Sequence, residues 1–384
     1  MRHTFKAMAV AAPLVLILAA CSSTPAEDGG DTDPSAVSEV TIAFLGDISG
    51  AAAFCGGEAQ AGFEAAIDWV NENDVAGGVT LKADIRDTQT DPTVAATEVQ
   101  AIVGTDAVGA VIGCASGVAQ ASAAAAQSFS LPTVAMQSGS QAVIDAGDFI
   151  FRTTAPQATY HSTQAEHYIG LGIESVAIVT QSDVPTLVEI ADLVYPPIFE
   201  DAGVEIVADE TFLGTDTDFS ALAAKVVGAS PDLILLLGQG PPNVTASTAI
   251  LNQGYDGFVG GSAGFANGVL EPLGDSADGF TWPTDFNVDS DVPSTQEFVA
   301  YYEEATGNTP GAFAANAWDA VLLFAYGIAA AEDPSDRASL RDGLAAAAAA
   351  GFDGAVGAIS FDDRDARVDG LLVEWRDGAV NIVD

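Results

Sequence analysis

Basic residues are scarce in this chain. Eleven Lys and Arg stand against 54 Asp and Glu, which gives a formal net charge of −43 over 384 residues. Such a surface repels phosphate backbones, so we exclude nucleic acid as a partner. Cysteine and histidine are also rare, with three of each, and no Cys-His cluster has the spacing of a metal site. The sequence therefore predicts neither a metal nor a cofactor.

The amino terminus carries an apolar run between basic residues and a cysteine. Residues 7–18 are apolar, follow Arg2 and Lys6, and lead through two alanines to Cys21. The run is too short for a transmembrane helix, and its small flanking residues are typical of a cleavage site. It predicts a secretory signal peptide over residues 1–20.

The string LAAC at residues 18–21 resembles the bacterial lipobox, which implies that Cys21 is lipidated. An ordinary signal peptide with an incidental cysteine is the alternative. Because a chain this acidic cannot hold to a membrane electrostatically, acyl chains would provide the anchor. The polar residues 21–39, rich in Pro and Gly, predict a flexible lipidated tether.

Two cysteines remain if Cys21 is lipidated. Cys55 follows the first predicted strand and Cys114 follows the third. In a doubly wound sheet ordered 2-1-3 these strands are neighbours, so the two loops come within disulfide range. An oxidising compartment favours a Cys55–Cys114 bridge, and two buried free thiols are the alternative.

Apolar strands alternate with amphipathic helices in two successive series from Val40 onward. This consecutive βαβ order predicts an α/β protein built from two doubly wound parallel-sheet lobes. Long helices follow residue 283. A β-hairpin of residues 358–361 and 371–375 is then expected, because a polar turn separates two short apolar runs.

Eight segments, in order along nearly the whole chain after residue 40, together resemble one family. It is the leucine/isoleucine/valine-binding (branched-chain amino acid and amide) family of solute-binding proteins of ABC importers, which has the periplasmic binding protein type I fold. The segments are TIAFLGDISG (41–50), RDTQTDP (86–92), VGAVIGCASGVAQA (108–121), FRTTAP (151–156), GTDTDFSAL (214–222), FVGGSAG (258–264), FAANAWDAV (313–321) and ISFDD (359–363).

The resemblance implies two lobes, each built from two separate stretches of the sequence. The first lobe would hold residues 40–154 and 283–355, and the second residues 155–282 and 356–384. A hinge of three crossings would join them, near Thr153 and Thr154, near residues 280–282, and before the C-terminal hairpin. The solute would bind between the lobes, at the carboxyl ends of the strands.

The resemblance also implies a function. The protein would be the extracytoplasmic solute-binding subunit of an ABC importer, a monomer that captures a small polar solute and delivers it to a permease and ATPase complex. An amino acid, an amide or a carboxylate would be such a solute. The lipid on Cys21 would anchor the protein to the cell membrane.

In this family two loops of the first lobe hold a ligand carboxylate. The matching positions here are Ser116 and Gly117 in one loop, and Ser138, Gly139 and Ser140 in the other. Each loop leads into a predicted helix, whose N-terminal N–H groups and dipole favour an anion. Simple N-capping is the alternative role for the Ser116 and Ser140 hydroxyls.

The second lobe departs from the family pattern. Gln239 stands where an aromatic residue is usual, and Ser262 stands where an acid normally pairs with the ligand ammonium. A buried ammonium needs a carboxylate, so either Asp183 supplies it or the ligand has no ammonium. A solvated loop acid is the alternative for Asp183. Phe54 is expected to form an apolar wall of the site, or else part of the core.

Two other functions belong to different classes. The same fold serves sensors that report a solute to a membrane kinase. Residues 260–264 match the G-x-S-x-G nucleophile elbow of serine hydrolases around Ser262, but that fold places its histidine last, whereas His161 and His167 precede Ser262. We therefore predict no enzymatic activity.

Overall fold

The computed structural model describes residues 37–266 and 268–383. The predicted signal peptide, the lipidation of Cys21 and nearly all of the predicted tether lie outside the described residues. The description that follows concerns the body from Val37 onward, which forms one compact unit.

The described residues form fifteen strands. In chain order these are β1 Glu39–Gly46, β2 Thr80–Asp87, β3 Ala107–Ile112, β4 Thr133–Ala135, β5 Ile150–Arg152, β6 Ser175–Gln181, β7 Glu205–Phe212, β8 Leu233–Leu237, β9 Phe258–Gly261, β10 Thr281–Thr284, β11 Phe352–Gly354, β12 Gly357–Asp362, β13 Asp365–Arg367, β14 Leu371–Arg376 and β15 Ala379–Ile382.

Twelve α-helices accompany the strands in the described part of the chain. They are α1 Ala53–Glu72, α2 Pro92–Val103, α3 Ser116–Ser128, α4 Gln141–Ile144, α5 Gln157–Gly170, α6 Pro185–Glu189, α7 Tyr195–Ala202, α8 Ser220–Gly228, α9 Pro241–Asn252, α10 Pro293–Thr306, α11 Ala312–Ala330 and α12 Arg337–Ala350. A π-helical turn, Ile190–Val194, joins α6 to α7.

Two sheets organise these strands, and each repeats the same parallel arrangement. The first sheet runs β11-β12-β13-β5-β4-β3-β1-β2, and the second runs β15-β14-β10-β9-β8-β6-β7. Strands β2-β1-β3-β4-β5 and β7-β6-β8-β9-β10 are parallel to their neighbours in matching order. The predicted doubly wound fold is confirmed. We call the layers around these sheets the first lobe and the second lobe.

Strand β1 shows why both faces of the first sheet are covered. Ile42 and Phe44 point into a core that contains residues of α1 and α11, whereas Ala43 and Leu45 point into a core that contains residues of α2 and α3. Side chains alternate along a strand, so a run of four consecutive apolar residues, here 42–45, requires helices on both sides of the sheet.

Helix α11 is the central helix of the first lobe. Its length and apolar composition would suffice to cross a membrane, but 83% of its most apolar window is buried inside the protein. It packs closely on α1, because a Cβ atom at Gly62 would lie 2.3 Å from the carbonyl oxygen of Ala314. Glycine at position 62 allows the two backbones to approach.

Within residues 37–266 and 268–383, the chain crosses between the lobes three times, at residues 153–156, 285–292 and 368–370. The second crossing begins a few residues later than predicted, since residues 281–284 still pair within the second sheet. We call the three segments the hinge.

The predicted C-terminal hairpin is wrong. Strand β12 pairs with β11 and β13 in the first sheet, whereas β14 pairs with β10 and β15 in the second. The two runs expected to form one hairpin therefore lie in different lobes, and residues 357–367 belong to the first lobe rather than the second. The third crossing occupies part of the polar stretch that we expected to be the hairpin turn.

Buried polar side chains tie the hinge together. Arg152 is fully buried and forms a bidentate ion pair with Asp365, at 2.7 and 2.8 Å. One carboxylate oxygen of Asp285 accepts hydrogen bonds from Thr154, Tyr160 and Asn316 at 3.3, 3.2 and 2.9 Å. Because these groups come from all three crossings or from residues beside them, the crossings are held in one cluster.

Asp319 on α11 is buried near this cluster. Its carboxylate accepts the backbone N–H groups of Ala355 and Val356, at 2.6 and 3.2 Å. Burial raises the pKa of Asp319 to about 8, partly offset by these two hydrogen bonds. The folded protein therefore holds a proton at this carboxyl group that the unfolded chain releases near its ordinary pKa of 3.8.

We predict that Asp319→Asn changes the pH dependence of stability. A carboxyl group whose pKa is raised by folding stabilises the protein below the unfolded pKa, and this contribution is lost as pH rises toward 8. The free energy of unfolding of the wild type, relative to Asp319→Asn, should therefore fall between pH 4 and pH 8, with a slope that approaches about 1.4 kcal/mol per pH unit. Denaturant unfolding measures this difference.

Asp106→Asn is the matched control, because Asp106 is an exposed acid of the same lobe. Its stability curve should run parallel to that of the wild type. Parallel curves for Asp319→Asn would contradict the prediction.

Candidate functional site

A cavity lies between the two lobes, at the carboxyl ends of their parallel strands. Residues of the loops after β1, β3 and β4 and the first turn of α11 face it from the first lobe, and residues after β6, β8 and β9 face it from the second. The lining residues are Ala52, Phe54, Cys55, Cys114, Ala115, Ser116, Gln137, Gly139 and Phe313 of the first lobe, and Thr186, Leu187, Gln239, Ser262, Ala263 and Gly264 of the second. This is the edge at which α/β sheets commonly bind ligands.

The disulfide between Cys55 and Cys114 is confirmed. The two Cα atoms are 6.5 Å apart, and both cysteines line the cavity. Strands β1 and β3 are neighbours, so the loops that follow them are adjacent, as the predicted order required. The bridge joins the first turn of α1 to the loop that precedes α3.

Asp47 also holds the loop that precedes α3, from the side away from the cavity lining. It is fully buried at the end of β1 and accepts hydrogen bonds from the Thr88 hydroxyl at 2.5 Å and the Ala115 N–H at 2.8 Å. Burial raises the pKa of Asp47, although these hydrogen bonds oppose the shift. The backbone at Ala115 is therefore held by a side-chain acceptor as well as by the neighbouring disulfide.

Ser116 joins the two lobes directly. Its hydroxyl lies 2.5 Å from the hydroxyl of Thr186 on α6. Ser116 is the first residue of α3, and the N-cap residue is Ala115, which makes no side-chain capping bond. The N-capping alternative for the Ser116 hydroxyl is therefore wrong.

Aromatic side chains form one wall of the cavity. Phe54 and Phe313 both line it, with ring centroids 5.9 Å apart in an edge-to-face arrangement. Phe54 was expected at this wall from the sequence. Phe313 was not, although it begins the FAANAWDAV segment that carries part of the family resemblance.

Five of the predicted site residues line the cavity: Phe54, Ser116, Gly139, Gln239 and Ser262. The other four, Gly117, Ser138, Ser140 and Asp183, are not among its lining residues. Thr186 and Leu187 line the cavity from the second lobe, and the sequence analysis missed them. Their position at the start of the helix after β6 is a signal that could have found them.

On either side of Gly139, which lines the cavity, Ser138 and Ser140 bond to other protein groups. The carbonyl oxygens of Ser138 and Ser140 accept hydrogen bonds from Arg152 at 3.2 and 2.9 Å. The Ser140 hydroxyl donates to Glu189 at 2.6 Å and accepts from Gln120 at 2.9 Å. Ser140 is the N-cap residue of α4 but makes no side-chain capping bond, so its capping alternative is wrong as well.

Asp183 lies on the exposed side of its loop. Its carboxylate accepts the N–H of Gly214 at 3.1 and 3.2 Å. This placement agrees with the alternative of a solvated loop acid, and it leaves the second lobe without a carboxylate in the cavity lining. The lining as a whole contains no charged side chain.

Ser262 is bonded to backbone groups. Its hydroxyl donates to the Gly238 carbonyl at 2.9 Å and accepts the Gly264 N–H at 3.2 Å, capping a 3₁₀ turn. The buried ring of His161 instead bonds the Tyr195 hydroxyl through Nδ1. Among the described residues, the serine that matches the nucleophile elbow therefore has backbone partners and no histidine base.

Two lobes of one parallel topology, three hinge segments and a cavity between the lobes define a two-lobed binding protein of the type I fold. The sequence profile described as periplasmic binding protein matches residues 39–379. The chain belongs to this family, and family membership indicates an extracytoplasmic location, in agreement with the disulfide.

Solved structures share the fold at low sequence identity. The branched-chain amino acid transporter substrate binding protein LivJ from Streptococcus pneumoniae, in complex with isoleucine, superposes with a TM-score of 0.80 at 24% identity, over 90% of this chain and 99% of that one. Two solute binding proteins of ABC transporters from R. palustris, in complex with benzoate and with 4-hydroxybenzoate, each give 0.79 at 22% and 21% identity, over 90% of this chain and 95% of theirs. The search of curated proteins found no match.

We predict that the disulfide contributes strongly to stability. Its two cysteines are 59 positions apart. In the chain-entropy model, closing a loop of that length lowers the entropy of the unfolded chain and so raises its free energy by about 4 kcal/mol. The double variant Cys55→Ser/Cys114→Ser should therefore lose about that much free energy of unfolding in denaturant titrations. Reducing the wild type should produce a similar loss, and equal midpoints with and without the bridge would contradict the prediction.

Proposed function

We propose that this protein is the solute-binding subunit of an ABC importer, which captures a small molecule between its lobes and delivers it to a permease and ATPase complex. The observation that carries the proposal is the cavity, which draws its lining from the strand ends of both lobes. A solute held there touches both halves at once, so its binding favours the closed arrangement. Closure excludes water, which strengthens each polar contact with the solute.

The solute that suits this cavity carries a carboxylate or an amide and no ammonium group. Removing an ammonium from water is costly unless a carboxylate pairs with it, and no acid stands in the lining. The neutral polar groups of Ser116, Gln137 and Gln239 can donate to an oxygen, and the aromatic wall suits an apolar body. Solved structures of the same fold hold solutes of both kinds, isoleucine in one and benzoate or 4-hydroxybenzoate in others, so the choice between them rests on the cavity lining.

An anion has suitable donors at the start of α3. This helix of 13 residues begins at the cavity with N–H groups such as that of Gly117, and its N-cap residue Ala115 makes no side-chain capping bond. Such N–H groups and the helix dipole stabilise a carboxylate without a cation. The Cys55–Cys114 disulfide and the hydrogen bond from the Ala115 N–H to Asp47 hold this helix start in place.

We propose that the mature protein is a monomer tethered to the membrane surface. Cleavage before Cys21 and lipidation of its thiol would place the described body at the end of the polar segment that precedes Val40. Lipid chains suit this task, because the excess of acids repels anionic headgroups. We assign no enzymatic activity, since the Ser262 hydroxyl is bonded to backbone groups.

We predict that the cavity prefers a carboxylate over the matching amino acid. Leucine and 4-methylpentanoate differ only in the amino group, so calorimetric titration of both isolates the effect of the ammonium. Leucine should bind at least about tenfold more weakly, which corresponds to about 1.4 kcal/mol. 4-Methylpentanamide separates the carboxylate from the amide, and tighter binding of leucine would contradict the proposed solute class.

Gln239→Glu provides a matched test inside the cavity. It changes one lining amide to a carboxylate of equal size. It should therefore weaken the binding of 4-methylpentanoate and shift the preference of the cavity toward leucine. Gln100→Glu makes the same charge change at an exposed position of α2 and should leave the ratio of the two affinities unchanged.

We predict that Cys21 carries the anchor. In a bacterial host the wild type should fractionate with membranes, and Cys21→Ser should appear in the soluble extracytoplasmic fraction, because it lacks the thiol that receives the lipid. Mass spectrometry of the mature amino terminus provides the direct measurement. A Cys21→Ser protein that stays with the membranes would contradict lipid anchoring.

A further inference from the structure

One carboxylate of the second lobe bonds to the first lobe outside the cavity. Glu189, the last residue of α6, accepts a hydrogen bond from the Ser140 hydroxyl at 2.6 Å. Its other oxygen accepts the backbone N–H of Gln141 at 3.3 Å. Glu189 therefore lies where the sequence analysis expected a carboxylate of the solute.

The receiving loop is rigidly supported. Ser140 accepts from Gln120 on α3 at 2.9 Å, and its carbonyl accepts from Arg152 at 2.9 Å. Arg152 is buried completely and pairs with Asp365 beside the third crossing. The partner of Glu189 is thus connected by direct hydrogen bonds to the hinge about which the lobes move.

A second contact comes from the same helix. Thr186 and Glu189 are three positions apart on α6, so both side chains lie on one face. Thr186 bonds Ser116, and Glu189 bonds Ser140, so α6 contacts the first lobe at two places, the start of α3 and the N-cap of α4. Both contacts join residues of different lobes and are lost when the lobes separate.

We propose that Glu189 has a closing role: its hydrogen bonds to the first lobe stabilise the closed arrangement of the two lobes even without a solute. Hydrogen bonds to a carboxylate are stronger than neutral ones, and Glu189 receives two from the opposite lobe. A solute that enters the cavity then needs to supply less of the free energy of closure, so its dissociation is slowed. This inference goes beyond the proposed solute class, because it depends on the two lobes alone.

Small-angle scattering of the protein without added solute tests the closing role. Glu189→Gln keeps the size of the side chain but removes its charge and one of its two acceptors. The radius of gyration of Glu189→Gln should exceed that of the wild type, because the open arrangement becomes more populated. Glu200→Gln is the matched control, since it removes the same charge from an exposed position of α7 and should leave the radius unchanged.

Ser140→Ala tests the same bond from the opposite lobe and should expand the protein in the same direction. Circular dichroism spectra that match the wild type verify that each variant is folded. Equal radii for the wild type, Glu189→Gln and Ser140→Ala would overturn the proposal, as would an equal expansion of Glu200→Gln. Because this comparison uses no solute, its outcome is separate from that of the leucine and 4-methylpentanoate titrations.

Discussion

The buried ion pair between Arg152 and Asp365 is the interaction on which the two-lobed arrangement most depends. It joins the end of β5 to the start of β13, so it fastens the first crossing to the strand that leads into the third. Removing Asp365 would leave the buried guanidinium of Arg152 without its carboxylate partner, which typically costs about 3 to 5 kcal/mol. The same guanidinium also holds the carbonyls of Ser138 and Ser140, so the hinge and the loop beside the cavity share one anchor.

The distribution of charge separates the surface from the site. The chain carries a formal charge of −43, yet the cavity is lined by neutral groups alone. Acids are kept out of the site in two ways. Asp183 faces the exposed side of its loop, and Asp47 sits behind the binding loop as an acceptor for the Ala115 N–H. On the function proposed above, a neutral cavity in so acidic a protein would select by the shape and hydrogen bonds of the solute rather than by a charged clamp.

Much of the fold could be predicted because its signals are local. The apolar runs of β1 and β3 and the amphipathic helices between them predict the doubly wound order, and that order predicts the Cys55–Cys114 bridge. The two short strands assigned to a hairpin show the limit of such signals. Their apolar pattern is correct, but the pattern does not say that β12 pairs in one sheet and β14 in the other.

The amino-acid sequence by itself determined the parallel sheets and the loops that reach the strand ends, because these follow from the spacing of apolar residues and glycines along short segments. The family was indicated by the resemblance of eight segments along the chain. Only the tertiary structure decided which polar side chains in those loops face the cavity and which bond to protein groups. Ser116 and Ser140 both stand at helix starts and both bond a residue of the other lobe, yet the former lines the cavity and the latter does not. That difference arises from the approach of residues 49 to 70 positions apart, brought together by the closure of the lobes.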